Sequence, residues 1–429
     1  MKYQQLQKVS INPYTKMSKN ETVSFEEIEG NMFKITKGAT DCKHGRNKER
    51  ELTYPIEEWD ERLGYYLDNG FTVIDDVKRG TKEVVTDGEY APIKDKGFKP
   101  VLENFIRLNN EFFEENYSKN IKDVSKTNID IVQKTIVELS KDIKTVSVSD
   151  FNDALMSTIW TYVPRRMNHL DRHIAHSKDD FEKIIGREQD MLDALVQELQ
   201  SGQSADKKLD ILAANGLTER WISPEEKDFI KSLMGDQTAH FSRAWAVTNE
   251  ACEKAMNDYL TSEGFDVSDP KDPKSGISYL WHGTPESNFW SIMKSGLYLN
   301  PALIKSGVRI CGKAYGYGSY FAPYVYKSMG YAGANFSYNR DLGGRTAYIF
   351  LFKVATGNPY YIYSDKDKPN MRPNHWEDFH ENHPKQHCCW AECGGGALGN
   401  TADYRLRYDE VIVYQQCQSS LAYIVELKP

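Results

Sequence analysis

The sequence predicts an α+β protein with several domains: a small α+β module, an all-α helical bundle, and a domain built on an antiparallel or mixed β-sheet. Two observations lead to this prediction. The chain has 429 residues, which is enough for two or three domains. Its residue pattern also changes twice, first from β-prone pieces to amphipathic helices and then to short strands and loops. We therefore expect domains at 1–97, 98–202 and 203–429.

The composition argues against a membrane span and against an export signal. The net charge is −8 and 40% of the residues are hydrophobic, but no window approaches the roughly 18 uncharged apolar residues of a bilayer span. The first residues, MKYQQLQKVSINPY, lack the basic-then-apolar layout of a secretion signal. Seven cysteines, an odd number, do not suggest a disulfide framework. We expect an intracellular protein, cytoplasmic in a bacterium or nuclear in a eukaryote.

The first segment combines β-prone pieces with one amphipathic helix. NMFKITKG and GFTVIDDV contain the β-branched and aromatic residues that favour strands. PIEEWDERLGYYLDNG predicts a helix that begins after Pro55 and ends at Gly70.

The second segment is dominated by apolar stripes with helical spacing. FNDALMSTIWTYVP predicts a helix with Asp150 at its N-cap and Pro164 at its end. DIVQKTIVELSKDI and REQDMLDALVQELQSG show similar stripes. Each stripe needs burial against another, which predicts a bundle in which the Met, Trp and Leu residues form the core.

The third segment changes to short strands and loops. Its strand candidates are ISYLWHG, RTAYIFLFKVATG, DEVIVY and LAYIVELK, and its helix candidates include PEEKDFIKSLM and HFSRAWAVTNEACEKAMNDYL. Because few strands alternate with long helices, an antiparallel or mixed sheet with flanking helices is favoured.

A histidine, a glycine and a threonine stand where the predicted strand ISYLW gives way to a predicted helix. Thr284 followed by Pro285 is typical of an N-cap and a first helical position. Gly283 lets a ligand approach the backbone closely and offers its N–H and C=O groups to a planar amide. A plain structural turn, with His282 at the strand end, is the alternative.

Aromatic rings and glycines are concentrated in GKAYGYGSYFAPYVYKSMGYA. Gly316 and Gly318 open space among the rings, and Tyr320 and Tyr331 could hold a flat heteroaromatic ring between them. Ser328 supplies a hydroxyl group for a carboxamide. An aromatic-rich edge of the core is the alternative.

Glu410 begins a predicted strand whose apolar residues indicate burial. A carboxylate at a strand end can accept a hydrogen bond from a sugar hydroxyl and stabilise positive charge that develops at an anomeric carbon. An exposed acid at a strand end is the alternative. Together with His282 and Tyr320, Glu410 completes an ordered His, Tyr, Glu set.

The motifs LWHGT, GKAYGYGSYFAPYVYKSMGYA and YDEVIVY resemble the ADP-ribosyltransferase catalytic domain of the poly(ADP-ribose) polymerase family, over about 203–429. The resemblance implies that NAD⁺ is the substrate and that no metal is needed. It also implies three catalytic residues: His282 binds the adenosine ribose, Tyr320 stacks on the nicotinamide, and Glu410 bonds the 2′-hydroxyl of the nicotinamide ribose. The further residues that it implies for NAD⁺ binding are Gly283, Thr284, Asn288, Gly318, Lys327, Ser328 and Tyr331.

In this family a glutamate at the third position goes with chain elongation. The resemblance therefore implies that ADP-ribose is transferred to protein acceptors, the chain itself among them, and extended into a polymer. A transferase that adds a single ADP-ribose, and a non-enzymatic module that binds NAD⁺ or ADP-ribose, are the alternatives. An RNA phosphotransferase of the Tpt type is disfavoured because that branch does not use this His, Tyr, Glu set.

The upstream segments extend the resemblance. Residues 98–202 resemble the helical regulatory domain of the DNA-dependent members, and SFEEIEGNMFKITKG is similar to the WGR module. Where the family carries Trp-Gly-Arg, this chain has Lys37-Gly38-Ala39. We expect 98–202 to restrict NAD⁺ access until an activator loosens it, so deleting this segment should raise activity. DNA ends or nicks are the implied activator, and KHGRNKER and PRRMNHLDRH are the basic pieces that could contact phosphates.

The stretch HWEDFHENHPKQHCCWAEC is rich in potential zinc ligands but lacks a standard Cys-x-x-Cys pair. We expect a solvated loop without metal. A zinc site is the alternative, and its candidate ligands are His383, His387, Cys389 and Cys393.

Overall fold

The computed structural model describes residues 2–11, 18–41, 50–75, 90–117, 121, 124–167, 170–200, 208–300, 315–332, 345–362, 379, 383–392 and 408–429. By their contacts, the residues form two compact units. The first contains Met1–Val84 and Glu111–Val196, and the second contains Val85–Asn110 and Gln197–Pro429. The division into domains at 1–97, 98–202 and 203–429 stays a prediction.

The first unit begins with a five-stranded antiparallel sheet in the order β4-β3-β2-β1-β5. Its strands are β1 (Tyr3–Ile11), β2 (Ser18–Ile28), β3 (Met32–Asp41), β4 (Arg50–Pro55) and β5 (Thr72–Asp75). Helix α1 (Trp59–Asp68) follows a 3-10 turn after Pro55, as the sequence predicts. It covers one face of the sheet, where the Trp59 ring lies 5.4 Å from Phe25.

The remaining helices of the first unit carry the apolar stripes. They are the end of α2 (Lys99–Asn116), from Glu111 on, then α3 (Lys126–Lys141), α4 (Val148–Ala154), α5 (Trp160–Tyr162) and α6 (Phe181–Gln200), with a π-helical turn at Leu155–Ile159. Helix α5 ends before Pro164, as predicted. The predicted N-cap at Asp150 is wrong, because Ser147 Oγ accepts the backbone N–H of Asp150 at 3.1 Å and so caps the helix.

A buried ion pair fixes the turn after α5. Trp160 Nε1 and Arg165 Nη1 each donate to Glu188 Oε2 at 3.0 Å. The side chains of Arg165 and Glu188 are 5% and 2% exposed. Removing one partner of such a pair leaves the other charge buried without compensation, so the pair constrains the helices that it joins.

The second unit is built on two sheets. The larger has the antiparallel order β6-β7-β14-β10-β8, and the smaller has the order β11-β12-β13-β9 with a parallel β11–β12 pair. This is the mixed α+β arrangement that the sequence predicts. The strands are β6 (Leu217–Trp221), β7 (Phe241–Asn249), β8 (Ile277–His282), β9 (Ser319–Phe321), β10 (Ala347–Ala355), β11 (Pro359–Ile362), β12 (Cys388–Ala391), β13 (Glu410–Val413) and β14 (Ser419–Leu427).

The helices of the second unit flank these sheets. They are α7 (Ile211–Ala214), α8 (Pro224–Met234), α9 (Glu250–Ser262), α10 (Phe289–Ser295) and α11 (Val325–Met329), together with the part of α2 before Glu111. This part of α2 belongs to the core, because Leu102 and Phe105 are fully buried, as is Phe98 just before the helix, and the Phe105 ring lies 4.6 Å from Phe289.

One predicted helix, HFSRAWAVTNEACEKAMNDYL, is wrong in its first half. Residues Phe241–Asn249 form strand β7, which pairs with both β6 and β14. Trp245 and Val247 are fully buried two positions apart, as expected for one face of a strand. The helix begins only at Glu250, and Asn249 Oδ1 caps it by accepting the N–H of Cys252 at 3.1 Å.

None of the helices within the described ranges combines the length and the apolar composition needed to cross a bilayer.

Candidate active site

The ends of strands β8 and β9 are joined by a short bridge, which brings the first two motifs together. Trp281 N–H donates to Ala322 O at 2.8 Å, and Ala322 N–H donates to Trp281 O at 2.9 Å. His282 is the last residue of β8 and pairs with Phe350 of β10. The histidine therefore lies beside the end of the strand that carries Tyr320.

His282 is held in one tautomer by the backbone of Tyr320. Its Nδ1 lies 2.9 Å from the Tyr320 carbonyl oxygen, which can only accept, so Nδ1 carries the hydrogen. Burial lowers the pKa of His282, and the hydrogen bond to Tyr320 opposes that shift. The ring is therefore neutral at neutral pH, and Nε2 is an acceptor suited to a ribose hydroxyl group.

Gly283 lies directly against the backbone of helix α11. A Cβ atom at this position would lie 1.8 Å from the carbonyl oxygen of Ser328, far inside van der Waals contact. The Ser328 hydroxyl donates to Trp281 O at 3.1 Å, and binding a carboxamide oxygen would require it to turn away from Trp281. The absence of a side chain at 283 thus lets the His-Gly-Thr motif and α11 form one wall.

The Tyr320 hydroxyl group is occupied by the backbone of its own loop. It accepts the N–H of Tyr315 at 2.9 Å and donates to Gly316 O at 2.8 Å. Burial raises the pKa of Tyr320 well above its usual range, so the phenol does not release its proton near neutral pH. Tyr320 can offer a ring surface, but it is not suited to act as a general base.

Glu410 is the first residue of β13, which pairs with β9 so that Ile412 is opposite Tyr320. Its carboxylate forms an ion pair with the Lys327 ammonium group of α11. The Tyr331 N–H donates to Ser328 O at 3.0 Å, and the Tyr331 side chain is 63% exposed. The second and third motifs therefore meet at the ion pair between Lys327 and Glu410.

Thr284 and Asn288 form a local pair in the loop after Gly283. Asn288 Nδ2 donates to Thr284 Oγ1 at 2.9 Å. The predicted N-cap role of Thr284 is wrong, because a 3-10 turn starts at Glu286 without a side-chain cap and α10 follows it. The pair instead fixes two polar side chains on the same side of a single turn.

Gly318 is the second position where the site excludes a side chain. A Cβ atom there would lie 2.6 Å from Ile412 Cγ2 and 2.7 Å from Val413 O. The loop before Tyr320 therefore lies directly on β13. Tyr414 follows that strand and also contacts the loop. It is not among the site residues predicted from the sequence, although it is the final tyrosine of the motif YDEVIVY.

The structure thus brings His282, Gly283, Tyr320, Lys327, Ser328 and Glu410 into one connected set of contacts, with Gly318 packed behind it. Thr284 and Asn288 continue from it along the chain, and Tyr331 lies at its exposed edge.

Part of the histidine- and cysteine-rich stretch can be located. Cys388 and Cys389 are both buried but belong to different core clusters, and burial raises the pKa of both thiols. His387 Nδ1 accepts the N–H of Asn358 at 3.0 Å. Within the part of the chain that the structure describes, no group of three or more His, Cys, Asp or Glu side chains is placed to hold a metal ion. His375, His380 and Cys393 lie outside the described residues, so the absence of metal stays a prediction.

A site of this kind, at the strand ends of a mixed α+β unit with antiparallel sheets, is not specific to one protein family. Comparison with known families is more specific, because residues 241–429 match the family model of the poly(ADP-ribose) polymerase catalytic domain. The matched range contains every residue of the candidate site, and it supports the poly(ADP-ribose) polymerase family for this part of the chain.

Individual relatives share low identity with the chain, and two of the three described here carry the polymerase name. The chain is 29% identical over 171 residues to poly(ADP-ribose) polymerase 1 of Caenorhabditis elegans, covering 35% of the chain and 16% of that protein. It is 28% identical over 158 residues to the uncharacterized protein 101L of Invertebrate iridescent virus 6, covering 37% of the chain and 65% of that protein. It is 27% identical over 150 residues to the putative poly(ADP-ribose) polymerase-like protein 100L of the same virus, covering 34% of the chain and 69% of that protein. The match thus spans less than two thirds of protein 101L and a small part of the nematode polymerase.

Proposed function

We propose that this chain is an ADP-ribosyltransferase that uses NAD⁺ as its substrate, transfers ADP-ribose to protein acceptors and releases nicotinamide. The observation that carries the proposal is the Glu410–Lys327 pair lying beside the linked His282 and Tyr320, inside the range that matches the polymerase catalytic domain. This transfer needs three groups: a carboxylate at the nicotinamide ribose, a ring surface at the nicotinamide, and a neutral histidine at the adenosine end.

Each group has a separate task in binding NAD⁺. Nε2 of His282 accepts a hydroxyl group of the adenosine ribose, with Thr284 and Asn288 close by on the same loop. The backbone of Gly283 bonds the carboxamide of the nicotinamide, and the Ser328 hydroxyl turns to complete that contact. The rings of Tyr320 and Tyr331 hold the nicotinamide between them.

The chemistry depends on charge and position. The bond between C1′ of the ribose and the nicotinamide nitrogen breaks, and the electron pair leaves with neutral nicotinamide. Glu410 accepts the 2′-hydroxyl hydrogen bond and stabilises the positive charge that develops at C1′. An acceptor oxygen then bonds C1′ and its proton is released. Lys327 keeps the carboxylate oriented, since the ammonium group is already paired with it.

Polymer formation is the first choice for the product, with single ADP-ribose addition and non-enzymatic binding as the alternatives. To test this, the protein is incubated with NAD⁺ labelled in its adenosine phosphate and run on a denaturing gel. A ladder of labelled protein indicates elongation, and one discrete labelled band indicates single transfer. If no label remains on protein while NAD⁺ still binds, the proposed transfer is wrong.

Regulation by the helical segment is also proposed, but deleting 98–202 would be a poor test. Such a deletion removes Phe98, Leu102 and Phe105, which belong to the core of the second unit. A variant confined to the first unit avoids this problem. Phe151 and Phe181 stack there with ring centroids 4.0 Å apart, and both are fully buried.

We expect Phe151→Ala to raise basal NAD⁺ turnover several-fold. Loss of a buried aromatic ring destabilises a protein core by about 3–5 kcal/mol. The substitution therefore loosens the helical segment and changes no core residue of the second unit. Turnover of the variant and the wild-type protein is compared without DNA, together with their thermal unfolding. An unchanged turnover in a variant whose first unit is demonstrably destabilised would refute this regulation.

DNA ends or nicks are proposed as the activator. Of the three residues that replace Trp-Gly-Arg, Lys37 lies with its ammonium group 5.1 Å from the Tyr66 ring centre, on the side of helix α1. Most of the basic stretch KHGRNKER lies outside the described residues. Turnover with and without nicked, 5′-phosphorylated DNA tests the proposal, and the same rate in both would count against DNA activation while leaving the transferase proposal intact.

A further inference from the structure

The loop from Tyr315 to Tyr320 is held by hydroxyl groups of tyrosines. The Tyr320 hydroxyl binds the Tyr315 N–H and the Gly316 carbonyl group, as described above. The Tyr414 hydroxyl donates to the Tyr315 carbonyl oxygen at 2.8 Å. Both polar groups of the Tyr315 backbone are therefore bonded by tyrosine side chains, one from the loop itself and one from outside it.

Tyr414 is well placed to act as a fixed support. It is 1% exposed, and its ring lies 4.9 Å from the ring of Phe379. A Cβ atom on Gly318 would come within 3.1 Å of Tyr414 Cδ1, so the loop packs directly on this ring. Burial raises the pKa of Tyr414 well above its usual range, and the hydroxyl keeps the hydrogen that it donates.

Tyr414 directly follows the strand that begins with the proposed catalytic carboxylate. Glu410 is the first residue of β13, and Tyr414 directly follows its last residue, Val413. The pairing of Ile412 with Tyr320 ties this strand to β9. The loop that carries the Tyr320 ring is thus attached to the Glu410 strand twice, by the β-ladder at one end and by the Tyr414 hydroxyl at the other.

We infer that Tyr414 is a positioning residue of the NAD⁺ site. Through the Tyr315 carbonyl group it fixes the Tyr320 ring relative to Glu410, and so fixes the nicotinamide relative to the ribose carbon at which the bond breaks. This inference rests on the proposed function. Tyr414 contacts neither the ribose nor the nicotinamide ring in this arrangement, and it acts only through the loop from Tyr315 to Tyr320.

Removing the Tyr414 hydroxyl group should weaken binding at the nicotinamide end of NAD⁺ and leave binding at the adenosine end unchanged. Without it the buried Tyr315 carbonyl loses the hydrogen bond from Tyr414, which favours a rearranged loop. The tilt of the Tyr320 ring changes, whereas the Tyr320 carbonyl group that holds His282 lies in the ladder between β9 and β13 and stays in place. Ligands bound through a nicotinamide-like ring should therefore weaken, and ligands bound through adenosine should not.

The test is Tyr414→Phe, with Tyr423→Phe as the matched control. Tyr423 lies in the same unit, is also buried, and donates its hydroxyl to Glu226 at 3.0 Å rather than to the loop. Binding of benzamide and of ADP-ribose is measured calorimetrically, and NAD⁺ turnover is measured over a range of NAD⁺ concentrations. For Tyr414→Phe we expect benzamide to bind about tenfold more weakly and kcat/KM for NAD⁺ to fall at least about tenfold, with ADP-ribose affinity changed less than about threefold.

Three results would overturn the inference. One is unchanged benzamide binding in Tyr414→Phe. The second is an equal loss of benzamide and ADP-ribose binding in this variant, and the third is a similar loss of benzamide binding in Tyr423→Phe, since either would indicate a general loss of stability. If the wild-type protein binds neither benzamide nor ADP-ribose, the proposed function itself fails, and that outcome is distinct from a failure of Tyr414 alone.

Discussion

Replacing Glu410 by glutamine should reduce ADP-ribose transfer by about 10²–10³-fold while leaving the affinity for a non-reactive NAD⁺ analogue within about threefold. The glutamine oxygen can still accept from Lys327, so the local geometry is kept. What is lost is the negative charge that stabilises the developing positive charge at C1′, a kind of contribution worth about 10²–10³ in rate when a single group is removed. Transfer is measured as labelled protein and analogue binding by calorimetry.

Asp409→Asn is the matched control for this experiment. It removes one negative charge from the adjacent residue, and the asparagine oxygen can still accept the hydrogen bond that Trp390 Nε1 makes to Asp409 at 3.0 Å. Transfer by this variant should stay within a few-fold of wild type. Retained elongation by Glu410→Gln, or an equal loss in both variants, would contradict the role given to Glu410.

Gly283→Ala should abolish detectable binding of NAD⁺ analogues. Its Cβ atom would meet the Ser328 carbonyl oxygen at 1.8 Å, and a backbone atom in a helix cannot move aside cheaply. Helix α11 must shift, which displaces both Ser328 and Lys327 from the site. Binding is measured by calorimetry, and circular dichroism checks that the protein remains folded.

Gly330→Ala is the comparison for this substitution because it lies just after the same helix. Its Cβ atom would lie 3.3 Å from the Lys327 carbonyl oxygen, a separation that a shift of a few tenths of an ångström relieves. We expect this variant to keep most of its affinity. Wild-type affinity in Gly283→Ala would show that the wall between the His-Gly-Thr motif and α11 is not part of the binding site.

Much of the fold follows from local sequence patterns. Strand β10 and helix α8 are confirmed because a run of β-branched and aromatic residues and a helical stripe mark them without their partners. The region 240–260 resembles one helix in sequence because its apolar residues fit a helical stripe as well as a strand. Only pairing with β6 and β14, which lie elsewhere in the chain, makes the first half a strand.

The candidate site could be predicted as a set of residues but not as a geometry. The motifs identify His282, Tyr320 and Glu410 through the family resemblance. They do not reveal that the Tyr320 hydroxyl is occupied by its own loop, or that Tyr414 reaches a carbonyl group 99 positions earlier in the chain. Such contacts depend on tertiary packing, which leaves no periodic signal in the sequence. The N-cap role predicted for Thr284 failed for a local reason, because the 3-10 turn starts only at Glu286 and the Thr284 hydroxyl group accepts from Asn288 instead.

We propose that the three motifs form one NAD⁺ site with Glu410 at the nicotinamide ribose. A crystal structure of the Glu410→Gln variant with a non-hydrolysable NAD⁺ analogue is the sharpest test of this arrangement. We expect the nicotinamide ring between Tyr320 and Tyr331, its carboxamide bonded to the Gly283 backbone, and the side chain at 410 within hydrogen-bond distance of the ribose 2′-hydroxyl. An analogue bound with its nicotinamide away from Gly283, or with its ribose out of reach of residue 410, would refute the proposed site.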